Sequence, residues 1–288
     1  MADTANRIKT FAVLGDPIGH SISPAMHNAA FEALGMPCEY RAFRVRLSDL
    51  RDAIHGARAL GFGGLNLTIP LKEEALKYVD PDPIAARIGA VNTIDFASEI
   101  TGHNTDGIGA LRALDSAGVD IAGRNIVIIG AGGAARAIAF QFAYIGGMIV
   151  IANRTQERAD RLARDVTIGL LELEKRPVVR SIGLAGLASE IADAEILINA
   201  TSVGMHPHPD ATPVSPDLLH SGLTVFDIVY NPLRTKLLSD AELRGATVID
   251  GVRMLVHQGA EAFRIWTGRE PPADVMLEAA LRGLENRS

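Results

Sequence analysis

Residues 126–136 read Ile-Val-Ile-Ile-Gly-Ala-Gly-Gly-Ala-Ala-Arg, and an apolar helical stretch follows to about Tyr144. Ile126–Ile129 is a β-branched run of the kind that forms a buried parallel strand. The sequence then passes through a glycine turn into a helix. Gly130 and Gly132 stand in the first two positions of a dinucleotide fingerprint and Ala135 in the third, with Ala131, Gly133 and Ala134 completing the turn. The first glycine makes the turn, the second lets backbone approach a pyrophosphate, and the helix N-terminus favours the anion. Glycine-rich strand–helix turns also occur as bare structure, so the next strand matters. That strand, Met148–Ala152, ends in Asn153-Arg154-Thr155, with Arg158 shortly after. A site for NAD places Asp or Glu here for the ribose hydroxyls. This chain offers two guanidiniums and a hydroxyl instead, and Arg suits bidentate phosphate binding. The residues point to NADP.

The chain has 288 residues, 48% hydrophobic and 22% charged, enough for two domains with real cores. A formal net charge of −6 leaves no basic face for a nucleic-acid backbone. No apolar run approaches the roughly 20 residues that span a bilayer. Residues 1–9 lack an apolar signal core, so a cytoplasmic location is expected. A single cysteine, Cys38, rules out an internal disulfide, and its reading is a small packed residue at a strand entrance. Without a His-x₃-His helix pair or a carboxylate cluster, no metal site is expected.

Strand and helix signals alternate outward from the glycine turn, which argues α/β with largely parallel sheets. On the N-terminal side, strands are expected at Thr10–Leu14, Tyr40–Val45, Gly64–Leu67 and Ala90–Phe96. Helices are expected from Ser23-Pro24 and from a Ser48 cap to about Leu60, with another from about Thr105 to Ala117. On the C-terminal side, short strands are expected at Glu195–Asn199, Thr224–Asp227 and Thr247–Ile249. After Gly251 the pattern is wholly helical, Val252–Thr267 and then Ala273–Gly283. These two helices are expected to return to the first lobe. The fold expected is thus two lobes, a substrate-binding and catalytic domain at 1–105 completed by 252–288, and a Rossmann-type dinucleotide domain at 106–251. A cleft between lobes is where a substrate is expected.

Four polar clusters lie at strand ends, where ligands meet α/β sheets. In Gly15–Asn28, Ser21 and Ser23 flank a helix start, where hydroxyls and free N–H groups would hold a small carboxylate. Ser23 could equally be a plain helix cap. His20 and His27 read as structural. In Asn66-Leu-Thr68-Ile-Pro70-Leu-Lys72, three polar residues interrupt a segment set for burial. A lysine near a cleft can serve as general acid/base, although Lys72 by pattern alone reads as an exposed helix-start residue. The remaining clusters are Gly89–Thr93, with Asn92, and Gly102–Gly107, with Asp106. Asp106 fits a first-turn carboxylate, or a partner orienting Lys72 and a substrate hydroxyl.

These segments resemble, in order, the motifs of the shikimate dehydrogenase family: Gly-Asp-Pro-Ile-Gly-His-Ser-Ile-Ser-Pro, Asn-Leu-Thr-Ile-Pro-Leu-Lys, Gly-Ala-Val-Asn-Thr, Asn-Thr-Asp-Gly, the glycine turn and Asn-Arg-Thr. Asn199–Met205, Asp227–Pro232 and Met254–Gly259 extend the resemblance, which runs from about residue 8 to 285. It implies an NADP-dependent oxidoreductase acting on a CH–OH group, reversibly reducing 3-dehydroshikimate to shikimate in aromatic amino acid (chorismate) biosynthesis. It implies that Ser21 and Ser23 bind the substrate carboxylate. Asn66, Thr68, Asn92, Tyr230 and Gln258 would bind ring hydroxyls or border the substrate. Lys72 and Asp106 would be the acid/base couple, and Ile228 and Gly251 join Gly130–Ala134 and Asn153–Arg158 as cofactor positions. The partner expected is a small molecule, with neither nucleic acid nor membrane, and a homodimer is left open. His103 and the 167–176 stretch receive no role. The rival readings are a quinate/shikimate enzyme of dual specificity and a non-catalytic ligand sensor on the same fold.

Overall fold

A computed structural model describes residues 8–285. The chain divides into two compact units: one runs to Thr105 and resumes at Val256, and the other is Asp106–Leu255.

The first unit contains β1 (Lys9–Gly15), α1 (Ser23–Ala33), β2 (Cys38–Arg44), α2 (Leu50–Ala59), β3 (Gly64–Leu67), β4 (Asp80–Pro81), α3 (Pro83–Ile88), β5 (Thr93–Asp95) and β6 (Thr101–His103). Its six-stranded sheet has the order β2-β1-β3-β5-β6-β4. β1 pairs in parallel with β2 on one side and β3 on the other, while β5 is antiparallel to both its neighbours. Alternate residues of β1 serve opposite faces. Ala12 and Leu14 join Leu50, Ile54 and Ala57 of α2 in one core, whereas Phe11 packs against Phe31 and Trp266 on the other side. The chain leaves β1 for β2, then crosses back to β3, so the sheet order reverses at the carboxyl ends of β1 and β3. That is where an open α/β sheet receives a ligand.

The second unit contains α4 (Asp106–Ser116), β7 (Asn125–Ile129), α5 (Gly133–Ile145), β8 (Met148–Asn153), α6 (Gln156–Leu171), β9 (Val178–Gly183), α7 (Leu187–Ala192), β10 (Ile196–Asn199), β11 (Thr224–Asp227), α8 (Lys236–Leu243) and β12 (Thr247–Ile249). Its sheet is wholly parallel, in the order β12-β11-β10-β7-β8-β9. Val127, Ile129, Val150 and Leu197 share a core with Leu187, Ile191, Leu237 and Leu238 of α7 and α8. The intervening residues Ile126, Ile128, Ile149 and Ile151 are also buried, as a strand covered on both faces requires. Here the order reverses between β7 and β10. Two helices follow, α9 (Gly251–Thr267), which starts in this unit and ends in the first, and α10 (Ala273–Glu285), which packs on α1.

The sequence reading missed β4, α3, β6, α6, β9, α7 and α8. Residues 90–96 form only the three-residue β5, hairpinned to β6 with Thr93 opposite His103. Such short strands carry too few residues to show a period. Ser48 does not cap α2: a 3₁₀ turn over Leu47–Asp49 precedes the helix, and the Ser48 hydroxyl meets Asp49. Residues 167–171 of the unassigned stretch are the last turn and more of α6. Among the described residues no helix is long and apolar enough to cross a membrane.

Candidate active site

The turn after β7 has the backbone geometry that a phosphate seat requires. Gly130 has φ +123°, and a Cβ there would stand 2.7 Å from the Ala200 carbonyl oxygen, so only glycine fits. Gly132, the residue before α5, has nothing within 4 Å of its would-be Cβ. One glycine is enforced by crowding and the other faces open space, the division of labour a pyrophosphate cradle needs. The first N–H groups of α5 have no acceptor within the helix and add its positive end. Gly130 N–H donates to the Ala152 carbonyl at the end of β8, which brings Asn153–Arg158 alongside. Asn153 donates to the Thr155 carbonyl at 2.9 Å, shaping the start of α6. Arg154 and Arg158 are exposed, and neither has an ion-pair partner among the described residues. Unpaired guanidiniums beside an open anion seat fit an additional phosphate.

Ile228 and Gly251 are held against each other. A Cβ on Gly251 would lie 2.4 Å from the Ile228 carbonyl oxygen, so that backbone contact excludes any side chain. Behind them sits a knot that the sequence reading missed. The Asp227 carboxylate is fully buried and accepts from Asn199 Nδ2 (2.9 Å), Val229 N–H (3.0 Å) and Thr235 Oγ1 (2.7 Å). Burial pushes its pKa up to about 6, although all three hydrogen bonds oppose the rise. By tying β10, β11 and the start of α8 together, Asp227 fixes the segment Ile228–Tyr230.

In the first unit, the loops after β1 and β3 run side by side, with Asp16 N–H bonded to the Ile69 carbonyl. A Cβ on Gly15 would be 2.4 Å from Thr68 Cγ2, so the glycine lets the two loops approach. Ser21 Oγ accepts from Ser23 N–H at 3.3 Å. Ser23 itself is buried and makes no capping bond, since the residue before α1 is Ile22 with no side-chain cap. Of the two readings of Ser23, the geometry disfavours the cap. Thr68 and Lys72 follow β3, and Lys72 is anchored by its carbonyl, which accepts from Val91 N–H at 2.8 Å.

Asn66, Asn92 and Gln258 are joined. Tyr40 Oη donates to Asn66 Oδ1 at 2.7 Å, and Asn66 Nδ2 donates to the Asn92 carbonyl (3.2 Å) and Thr93 Oγ1 (3.0 Å). Thr93 donates on to Asn92 Oδ1 at 3.0 Å. Asn92 Nδ2 reaches Thr105 Oγ1 at 3.0 Å and Gln258 Oε1 at 3.4 Å. Both hydrogens of Asn66 are thus used within the protein. Tyr40, Thr93 and Thr105 were not singled out in the sequence, because strand register and not local pattern places them here. His27 has neither ring nitrogen hydrogen-bonded; it stacks on Tyr40 at 4.3 Å, and burial lowers its pKa to about 3. His103, without a role in the sequence, bonds through Nδ1 to Asp82 Oδ2 at 2.7 Å. Asp82 also caps α3. Burial alone would raise the Asp82 pKa, but the His103 bond and the Ala85 and Ile84 N–H groups bring it below the usual range.

Asp106 and Tyr230 belong to the second unit. Asp106 is buried as the first residue of α4, where the helix dipole favours a carboxylate. A Cβ on its neighbour Gly107 would lie 2.7 Å from the Ala137 carbonyl oxygen, so glycine brings α4 close to α5.

Three family models match the chain in succession: the shikimate dehydrogenase substrate binding domain over residues 13–94, shikimate/quinate 5-dehydrogenase over 112–209, and the shikimate 5′-dehydrogenase C-terminal domain over 251–281. The chain is 57% identical over 281 residues to the Methanosarcina acetivorans shikimate dehydrogenase (NADP(+)), covering 96% of this chain and 99% of that one. Its fold is similar to that of shikimate 5-dehydrogenase from Thermus thermophilus in complex with NADP(H) and shikimate, with a TM-score of 0.87, 39% identity, and 96% and 100% of the two chains covered. It is also similar to quinate dehydrogenase from Corynebacterium glutamicum in complex with NAD, with a TM-score of 0.86, 34% identity, and 96% and 99% covered.

Proposed function

Since the chain belongs to the shikimate dehydrogenase family, we propose that it catalyses the reversible, NADP-dependent reduction of 3-dehydroshikimate to shikimate. The observation that carries the choice of cofactor, and with it the choice over a quinate/NAD enzyme, is the pair Arg154 and Arg158. Both are exposed and unpaired among the described residues, at the end of the strand beside the glycine turn. In this reading the first unit binds the substrate and the second the dinucleotide. Gly130–Ala134 would hold the pyrophosphate, Asn153–Arg158 the 2′-phosphate, and Ile228 and Gly251 the nicotinamide end. NADPH, when bound, supplies the hydride that the ring carbonyl carbon receives.

The chain's own residues supply the rest. Ser21 and Ser23 anchor the substrate carboxylate near the start of α1. Thr68, Asn92, Tyr230 and Gln258 orient the ring and its hydroxyls. Lys72 gives a proton to the carbonyl oxygen in reduction and removes it from the hydroxyl in oxidation, with Asp106 orienting the lysine and a neighbouring hydroxyl. An absorbance assay at the reduced-nicotinamide band, run with shikimate or quinate against NADP or NAD, tests the whole assignment. Turnover with shikimate and NADP is expected to exceed the other three combinations. Faster turnover of quinate with NAD would replace this assignment by the rival one, and no turnover at all would leave the sensor.

Two substitutions test the anchors separately. Arg154→Ala is expected to weaken NADP binding by about 1.5–3 kcal/mol, the worth of one hydrogen bond to a charged group. NAD binding should barely change, since NAD lacks the phosphate. Equal losses in a binding titration would rule out Arg154 as the phosphate ligand. Ser21→Ala is expected to raise the Michaelis constant for shikimate and leave that for NADP unchanged. A fall in thermal stability alone would mean that the hydroxyl serves only the Ser23 N–H.

A further inference from the structure

We propose that Tyr40 is a positioning residue of the substrate site, acting through Asn66 and Thr93 on the orientation of Asn92 and Gln258. The proposal rests on assigning Asn92 and Gln258 to the substrate ring. It gives a function to a residue that is buried in β2 and has no part in the chemistry described above.

Tyr40 is held on three sides. Asn28 brackets its backbone, accepting from Tyr40 N–H at 2.7 Å and donating to the Tyr40 carbonyl at 3.0 Å. The His27 ring lies 4.3 Å from the phenol ring and within 9° of parallel to it. The hydroxyl meets Asn66 Oδ1 at 2.7 Å, and burial keeps it protonated, hence a donor. With a fixed donor on Oδ1, the Asn66 amide sits one way round, its NH₂ toward the Asn92 carbonyl and Thr93 Oγ1. Turned over, Asn66 would set its oxygen against the Asn92 carbonyl oxygen, leaving two acceptors facing each other in a buried site. Thr93 Oγ1 accepts from Asn66, and of the two acceptors within its own reach Asn92 Oδ1, at 3.0 Å, is nearer than Thr105 Oγ1, at 3.4 Å. Asn92 Oδ1 also takes the Thr105 N–H at 2.8 Å, which leaves Asn92 Nδ2 facing Thr105 Oγ1 and Gln258 Oε1. Every link is buried or nearly so, and every group donates to the next. A chain of this kind is polarised in one direction, and the Thr105 hydroxyl closes it, lying 3.4 Å from Thr93 Oγ1, 3.2 Å from Asn92 Oδ1 and 3.5 Å from Gln258 Oε1. Tyr40 is its first donor, and the amides of Asn92 and Gln258 are the groups at its far end. Since Asn92 has an independent anchor in Thr105 N–H, loss of Tyr40 should loosen the far end and not dismantle it.

Tyr40→Phe preserves the ring and its stack and deletes the one hydrogen. The Michaelis constant for shikimate should rise about tenfold, as expected when a buried acceptor loses its donor. The dissociation constant for shikimate alone, by calorimetry, should rise in parallel. The Michaelis constant for NADP and the turnover number should stay within about threefold of the parent, because Lys72 and the dinucleotide unit are untouched. A lower melting temperature with both shikimate constants unchanged would show a structural role only and overturn the proposal. If Tyr40→Phe does not fold, Thr93→Val breaks the same chain at its middle link with little change of shape. It should show the same selective weakening of shikimate, and unchanged shikimate constants there overturn the proposal. The proposed activity fails separately, through absence of turnover in the unaltered protein.

Discussion

Replacing Lys72 with alanine is expected to lower the turnover number by about 10²–10⁴-fold, the usual worth of a positioned acid/base group. The Michaelis constant for shikimate should change far less, because the residues proposed to hold the substrate, Ser21, Ser23, Asn92 and Gln258, remain. The expectation follows from the stoichiometry of the reaction: as hydride reaches the carbonyl carbon, the oxygen must gain a proton. Two other titratable groups of the first unit are poor candidates. Tyr40 is locked as a donor to Asn66, and His27 is sealed in an aromatic cluster. Lys72 sits just beyond β3, where the first sheet's order reverses, with its backbone pinned by Val91. Asp106→Asn should also slow turnover. If the two act as one unit, the double variant should lose much less than the product of the single effects. Stopped-flow absorbance measures these rates directly. A folded Lys72→Ala protein that binds NADPH and retains near-normal turnover would require another proton carrier.

The second large effect concerns stability. His27 has a pKa of about 3 in the folded protein against an ordinary 6.5, because burial denies its charged form any water. The folded state therefore binds this proton more weakly than the unfolded state does. Its stability contribution is full above pH 6.5 and declines as pH falls from there toward 3. At ~1.4 kcal/mol per pKa unit, the loss approaches about 4–5 kcal/mol at the acid end and about 2 kcal/mol by pH 5. Asp227 works in the opposite sense. Its raised pKa means that a cost to stability builds as pH rises from 3.8 to about 6 and is full above that, so acid relieves it. The two are separated by comparing variants. Urea unfolding of His27→Leu at pH 7.5 and pH 5 should show a smaller loss in acid than the parent by about 2 kcal/mol, whatever its stability at neutral pH. Equal losses would mean that His27 does not carry the acid sensitivity.

What could be seen in the sequence was what is local. The β7–α5 turn and the Asn153–Arg158 segment declare themselves because strand, turn and helix are contiguous, and the roles of Gly130 and Gly132 follow from backbone geometry. The polar loops after β1 and β3 were visible as motifs, but their adjacency was not, since it arises when the chain crosses from β2 back to β3. The Tyr40 chain was invisible for the same reason: its first two bonds join residues 26 and 27 apart in sequence. Tyr40 alone looks like any strand tyrosine. Ser23 was ambiguous between cap and ligand, and the actual start of α1, which puts Ser23 inside the helix, bears only on the cap. The Asp227 knot lay within a recognised motif, yet burial of the carboxylate depends on Asn199 and Thr235 arriving from two other segments. The three-residue strands β5 and β6 are hairpin partners whose pairing no periodicity announces.

The one tryptophan of the chain has a further use. Trp266 is almost wholly buried in the first unit, its indole N–H bonded to the Ile94 carbonyl at 2.9 Å and its ring 5.7 Å from His27. The second unit contains no indole, so ultraviolet emission excited at the red edge reports one half of the molecule and is silent on the other. The protein thus carries its own fluorophore for one unit, and the reduced nicotinamide would serve as the other. Recorded in a single unfolding titration, the two colours would follow the two halves of this chain separately, without any label being attached.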